Sequence, residues 1–212
     1  MASIERIVVG PEKQNCYILH DSSGDAIVID PGSEGERVCG LIDSLDVKPS
    51  SIINTHGHFD HIGGVDLVGK KYGIPFALHG GDRKLLRRAN LYAKMSYPEA
   101  SSIEVPKFDL DLSQKLQINS SLVKSLEVKH LPGHTPGSVC LFYEDFVLSG
   151  DIVFRNSIGR TDLPGGDPKS MNSSVQWLID NAKGKRFFPG HGNSFLLSDV
   201  VIAKWLKGMS KL

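Results

Sequence analysis

Hydrophobic residues near the start of the chain fall into short runs of strand length that break at turn-forming positions. Ile4 to Val9, Asn15 to His20 and Ala26 to Asp30 are separated by Pro, Gly and Asp/Ser turns, which predicts an antiparallel meander. Asp30-Pro31-Gly32 closes the third run, and Glu34 to Leu45 follows with helix-like spacing. Ser51-Ile52-Ile53-Asn54 reads as a short buried strand. The glycines Gly63-Gly64 followed by Val65-Asp66-Leu67-Val68 read as a loop turning into a helix. A second group of runs, Leu122 to Val128, Val139 to Tyr143 and Phe146 to Leu148, predicts further strands, and Met171 to Ala182 predicts another helix. The strands-then-helix order thus occurs twice, which suits two packed β layers with helices outside.

Composition narrows this picture without changing it. A chain of 212 residues with 40% hydrophobic content can bury a sizeable core and is most simply one domain, 1–212. Its 24 basic and 24 acidic residues cancel, which gives no electrostatic case for nucleic acid or an anionic membrane as partner. No apolar run is long enough to span a bilayer. Met1-Ala2-Ser3 leads straight into strand-like sequence without the pattern of a signal peptide. Cys16, Cys39 and Cys140 are odd in number and widely spaced, so the expectation is buried thiols in a reducing cytoplasm. One local basic run, Arg83-Lys84 with Arg87-Arg88, is either a solvated helix face or an attractor for an anionic substrate. No interleaving of aromatic with basic residues supports a nucleic-acid platform.

The densest chemistry lies in Thr55-His56-Gly57-His58-Phe59-Asp60-His61. Three imidazoles and a carboxylate this close together are costly to bury unless a cation holds them. In an extended chain His56 and His58 point to the same side and can share one ion. Asp60 and His61 fall where the chain turns towards a helix, which aims them at a different point, so one motif could serve two neighbouring metals. Three further patches set a metal-ligating residue type in tight turns: Pro132-Gly133-His134-Thr135-Pro136-Gly137, Ser149-Gly150-Asp151 at a strand end, and Pro189-Gly190-His191-Gly192. Taken singly, each is more often a surface turn than a ligand. Beside the first run they become its expected partners. Five of the eight histidines belong to this pattern, and His20, His79 and His130 stand outside it.

In order, these residues resemble the H-x-H-x-D-H run, later His, Asp and last His of the metallo-β-lactamase superfamily, over nearly the whole chain. The resemblance implies an α/β fold, a four-layer αββα sandwich with the site at one edge between the sheets. It implies that His56, His58 and His134 hold a first metal and Asp60, His61 and His191 a second. Asp151 bridges them, and Asp60 and Asp151 are the catalytic carboxylates. Asp30 is expected to support the site rather than to ligate. Five imidazoles and two carboxylates without a thiolate suit two divalent ions, zinc first, with iron and manganese compatible. Two such ions can hold a water between them as hydroxide, aim it at a carbonyl and stabilise the oxyanion. A thiolate, with a pKa of roughly 8.5, departs without a general acid, and no motif for such an acid is evident, so an activated ester or thioester is favoured.

The stretch Gly150-Asp151-Ile152-Val153-Phe154 with Gly159-Arg160-Thr161-Asp162 looks like that of small bacterial glyoxalase II-like proteins, the hydroxyacylglutathione hydrolases, with Val153 in place of Leu. That implies a small-molecule, glutathione-linked thioester as substrate, with S-D-lactoylglutathione its type, and Arg160 as the contact for a substrate carboxylate. The larger enzymes carry a basic helical extension, whereas 21 residues follow His191 here, and Asn193 replaces their aromatic residue. The rival enzyme reading is a persulfide dioxygenase, whose Gly-Arg-Thr-Asp segment is similar and which uses one iron on two histidines and an aspartate. A lactonase or another thioesterase also fits the ligands, the β-lactamases less so because they usually have Cys at the place of Asp151. The non-enzymatic reading is a metal-binding regulatory module.

Overall fold

The computed structural model describes residues 2–99 and 101–212. Its first sheet runs in chain order through β1 (Ala2–Val9), β2 (Gln14–Asp21), β3 (Asp25–Ile29), β4 (Lys48–Ile53), β5 (Phe76–Leu78) and β6 (Leu110–Asp111). The first three strands pair antiparallel, as the turn pattern predicts, and the remaining pairs are parallel. The second sheet joins β7 (Glu127–His130), β8 (Val139–Tyr143), β9 (Phe146–Gly150), β10 (Arg186–Pro189) and β11 (Phe195–Leu196), with only β9 and β10 parallel.

Around the sheets lie α1 (Gly35–Ser44), α2 (Phe59–Ile62), α3 (Val65–Tyr72), α4 (Arg83–Arg87), α5 (Ala89–Ser96), α6 (Ser121–Ser125), α7 (Pro168–Asn181) and α8 (Asp199–Met209). Side-chain alternation sorts the strands into two faces. Cys16, Ile18, Ala26 and Val28 pack outwards against Val38 and Ile42 of α1 and Val65 and Val68 of α3. Their neighbours Tyr17, Leu19, Ile27 and Ile29 face Val139, Leu141 and Leu148 of the other sheet. The outer face of that sheet, with Cys140, Phe142 and Phe187, is covered by Met171 and Val175 of α7 and by Val201 and Trp205 of α8. Four layers, helix, sheet, sheet and helix, follow from strands that are apolar on both sides, each buried Leu, Ile or Val contributing about 1.5–3 kcal/mol. All three cysteines are buried and free.

Two stretches differ from the sequence expectation. Leu122 to Val128 is not a continuous strand, because residues 121–125 form α6 and only Glu127 onwards is extended. The Ser120 hydroxyl accepts from the Val123 N–H at 3.1 Å and donates to Asp25 at 2.6 Å, so a helix cap competes with the strand pattern and wins. The second is α8, which the periodicity did not reveal. Its Trp205 is fully buried and donates from Nε1 to the Phe154 carbonyl at 2.8 Å, pinning the segment that follows β9.

Candidate metal centre

The seven expected residues converge where β4, β7, β9 and β10 end at one edge of the sandwich. His56 to His61 follow β4, His134 lies in the turn after β7, Asp151 is the first residue beyond β9, and His191 lies two beyond β10. Each is therefore delivered by a strand whose backbone is already fixed by its ladder, which leaves the end turns to aim the side chains.

His56, His58 and His134 form one group. The His56 Nε2 lies 3.1 Å, and the His134 Nε2 3.0 Å, from the His58 Nδ1. Three nitrogens around one tetrahedral ion at about 2.0–2.1 Å would stand roughly 3.3 Å apart. Asp60, His61 and His191 form a second group, with His191 Nε2 3.2 Å and His61 Nε2 3.6 Å from Asp60 Oδ2. Asp151 reaches both, with Oδ2 3.7 Å from His134 Nε2 and 3.4 Å from His191 Nε2, and Oδ1 3.6 Å from His61 Nε2. His61 Nε2 and Asp151 Oδ1 are buried and without hydrogen-bond partners in the protein, as suits atoms placed to bind a cation. The donors present therefore fit divalent metals.

The second nitrogen of most of these rings is already committed, which fixes the tautomer. His61 Nδ1 donates to Asp30 Oδ2 at 3.0 Å, His134 Nδ1 to the Arg160 carbonyl at 2.9 Å and His191 Nδ1 to the Glu12 carbonyl at 3.0 Å. The Thr55 hydroxyl donates to Asp30 at 2.6 Å and accepts from His56 Nδ1 at 3.1 Å. Asp30 thus steadies one histidine of each group without belonging to either. It sits at φ 50°, a left-handed conformation that Asp tolerates better than most residues.

The electrostatics of the two groups are opposite. Burial holds His56 well below its ordinary pKa and His58 at about 3, with the neighbouring imidazoles adding to the effect. Burial also disfavours charge on His61 and His191. There the carboxylates outweigh it, Asp60 and Asp151 chiefly for His61 and hydrogen bonds to Asp151 and Asp60 for His191, so the two rise to about 9 and about 11. Burial opposes ionisation of Asp60 and Asp151 too, but the His61 charge and the His191 hydrogen bond keep both below the usual carboxylate range.

Close packing leaves little tolerance. A Cβ on Gly190 would stand 2.2 Å from Asp151 Oδ1 and 2.6 Å from the His61 ring. A Cβ on Gly150, at φ +48°, would overlap the Thr55 hydroxyl, so only glycine lets the chain turn here directly against Thr55.

The sequence reading missed one buried carboxylate, Asp82, just before α4. Its Oδ2 accepts from the Gly57 N–H at 2.8 Å and the Thr135 hydroxyl at 2.7 Å, and its Oδ1 accepts from the Gly137 N–H at 2.6 Å. It ties the loop carrying His56 and His58 to the turn carrying His134. Burial raises its pKa although these donors pull the other way. The preceding Gly80-Gly81 hints at a turn, but no sequence signal marks the carboxylate as buried.

A cavity of about 400 Å³ opens over the cluster, walled by Leu85, Tyr92 and Met95 on one side and Phe154, Ile158 and Leu163 on the other. Arg160, expected to meet a substrate carboxylate, lies at this cavity with its guanidinium held by Asp162 through bonds of 2.7 and 2.8 Å. Arg83, Lys84, Arg87 and Arg88 are exposed and none lines the cavity. His79 and His130 stack on one another at 4.0 Å, apart from the metal cluster.

Comparison with known proteins agrees with this geometry. The family model of the metallo-β-lactamase superfamily matches residues 9–191, and the chain belongs to that superfamily. The hydroxyacylglutathione hydrolase GloC of Haemophilus influenzae is 32% identical over 82% of this chain and 82% of its own. Among solved structures, BLEG-1, described as a B3 metallo-β-lactamase, is 32% identical with a TM-score of 0.82, covering 92% of this chain and 94% of that one. TTHA1623, solved in a di-iron-bound form, is 34% identical with a TM-score of 0.81, covering 91% and 94%. The protein is a metallohydrolase of this superfamily with a histidine and aspartate cluster for divalent metals. No helix among the described residues is long and apolar enough to cross a membrane.

Proposed function

We propose that the protein is a binuclear thioesterase of the glyoxalase II type that cleaves S-(2-hydroxyacyl)glutathione, with S-D-lactoylglutathione as the test substrate, to glutathione and a 2-hydroxy acid. The observation that carries this reading is Asp151 spanning two three-residue groups at the floor of an open cavity. His56, His58 and His134 would hold one ion, Asp60, His61 and His191 the other, and Asp151 both. Two divalent cations there supply the Lewis acidity that activates water and polarises a carbonyl.

The chain's own residues do the rest. Asp30, Thr55 and the carbonyls of Glu12 and Arg160 hold His56, His61, His134 and His191 in the tautomer that turns Nε2 inwards, while His58 faces its group with Nδ1. Asp60 and Asp151, kept ionised, are negative charges beside the reacting atoms and can accept a proton from water. Among the described residues, the cavity lining offers no lysine and no histidine outside the cluster to protonate a departing amine. A thiolate needs no such donor, because its pKa of roughly 8.5 makes it a competent leaving group. Among the described residues outside the cluster, Arg160 is the one basic side chain lining the cavity, exposed at its rim, where a substrate carboxylate would share it with Asp162. GloC's name and its identity to this chain support the same reaction type.

The test is hydrolysis of S-D-lactoylglutathione by the purified protein, with metal content measured on the same sample. Turnover with about two ions per chain, as the paired-ion chemistry requires, is expected. A single iron with oxygen consumption on glutathione persulfide, and no thioester turnover, would replace this reading with a dioxygenase.

A further inference from the structure

The walls above the metal cluster are unlike what a charged tripeptide needs. A glutathione thioester carries two carboxylates and an ammonium, and burying such groups without partners is strongly unfavourable. Among the described residues, the charged side chains at the cavity outside the cluster are Glu12, which suits only the ammonium, and Arg160, exposed at the rim and shared with Asp162, which can meet at most one of the two carboxylates there. Apart from Ser96 and the Tyr92 hydroxyl, the remaining walls are apolar and come chiefly from two separate parts of the fold. Leu85 of α4 and Tyr92 and Met95 of α5 form one, and Phe154, Ile158 and Leu163 of the segment pinned by Trp205 form the other. Met95 is 70% exposed, and its neighbour Leu91 56%, so the apolar surface continues outwards along α5.

Resting on the thioesterase reading, we infer that the site selects its substrate by an apolar acyl chain, longer than lactoyl, lying between α5 and the 154–163 segment. The charged ends of glutathione then stay in solvent at the rim. Only the uncharged acyl half of the substrate gains by leaving water here, and about 400 Å³ lies within the range of pockets that enclose small ligands. Specificity is thus read by the alkyl or aryl group on the hydroxyacyl carbon rather than by the thiol.

The experiment compares 2-hydroxyacylglutathiones from lactoyl through 2-hydroxyhexanoyl and mandeloyl, and in parallel measures binding of S-methyl-, S-butyl- and S-hexylglutathione by calorimetry. Both kcat/KM and affinity should rise about three- to fourfold per methylene, the gain for taking one CH2 out of water. Met95→Asp, at an exposed position that folding tolerates, should reduce the hexanoyl-to-lactoyl ratio at least fivefold. Thioester hydrolysis with flat chain-length profiles in both series would overturn the inference and leave the thioesterase reading standing. S-alkyl affinities that rise with length, with no thioester hydrolysed, would uphold apolar recognition and overturn the thioesterase instead.

Discussion

Asp82 is the residue whose removal tests most sharply how the site is held together. Its carboxylate is fully buried and accepts three hydrogen bonds from two separate loops. In Asp82→Asn one oxygen becomes an NH2 group facing a donor. With that group at the Oδ1 position, only the Gly137 N–H loses its acceptor, while Gly57 and Thr135 keep theirs, so this orientation is favoured. One buried orphan donor costs about 1–3 kcal/mol. Asp82→Ala orphans the two amides, whereas the Thr135 hydroxyl can turn to Ser138, 2.7 Å away. Part of the loss is offset, because burial already raises the Asp82 pKa and the alanine variant no longer buries a charge. The net expectation is about 1–3 kcal/mol for Asn and about 3–5 kcal/mol for Ala. Urea unfolding of the metal-free proteins measures this, and a competing chelator measures metal affinity. Affinity for one ion should fall about 10- to 100-fold, as for lost partners of ligand residues, with the other ion much less affected. Asn and Ala variants that are equally stable, within about 0.5 kcal/mol of the parent, and unchanged in metal affinity would refute the idea that Asp82 joins the His58 loop to the His134 turn.

Three further outcomes follow from the geometry. Gly190→Ala should lower bound metal and destabilise the fold by about 1–3 kcal/mol, typical of overpacking, because the new methyl meets Asp151 and His61; full metal occupancy in a stable variant would exclude that contact. Without metal, stability should peak near pH 6.5. Below it, His56 and His58 take up protons only when unfolded, since their folded pKa values are depressed; above it, His61 and His191 lose protons only when unfolded, until pH passes their folded values of about 9 and about 11. A urea midpoint that does not change between pH 5 and 8 contradicts this, and calorimetry in buffers of different ionisation enthalpy should register release of about two protons on full metal loading at pH 7. Finally, His56→Ala should abolish turnover in a protein that stays folded, as circular dichroism would report; collapse of the fold would instead point to a structural metal module.

Much of this was legible because the relevant signals are local. The opening meander, α1, β4 and α7 each carry their own periodicity and turns, and the seven cluster residues sit in short motifs at strand ends. What the sequence hid depends on partners far along the chain. Asp82 looks like a turn residue until Gly57 and Gly137, 25 and 55 positions away, are brought to it. The Arg160 guanidinium drew attention in the sequence, yet its carbonyl is what orients His134. At residues 122–125 the pattern is ambiguous, because adjacent Leu122 and Val123 are compatible with either a buried strand or a helix face, and the deciding contact, Ser120 with Asp25, spans 95 positions. The apolar wall of α5 was invisible because Tyr92 and Met95 become a surface only opposite Phe154 and Ile158.

Whether the cluster is a two-ion hydrolytic centre for thioesters is decided by titrating metal into the stripped protein while following hydrolysis of S-D-lactoylglutathione. No turnover is expected without metal, and activity should grow until about two ions per chain are bound. Full occupancy of both positions with no thioester cleaved would contradict the thioesterase reading.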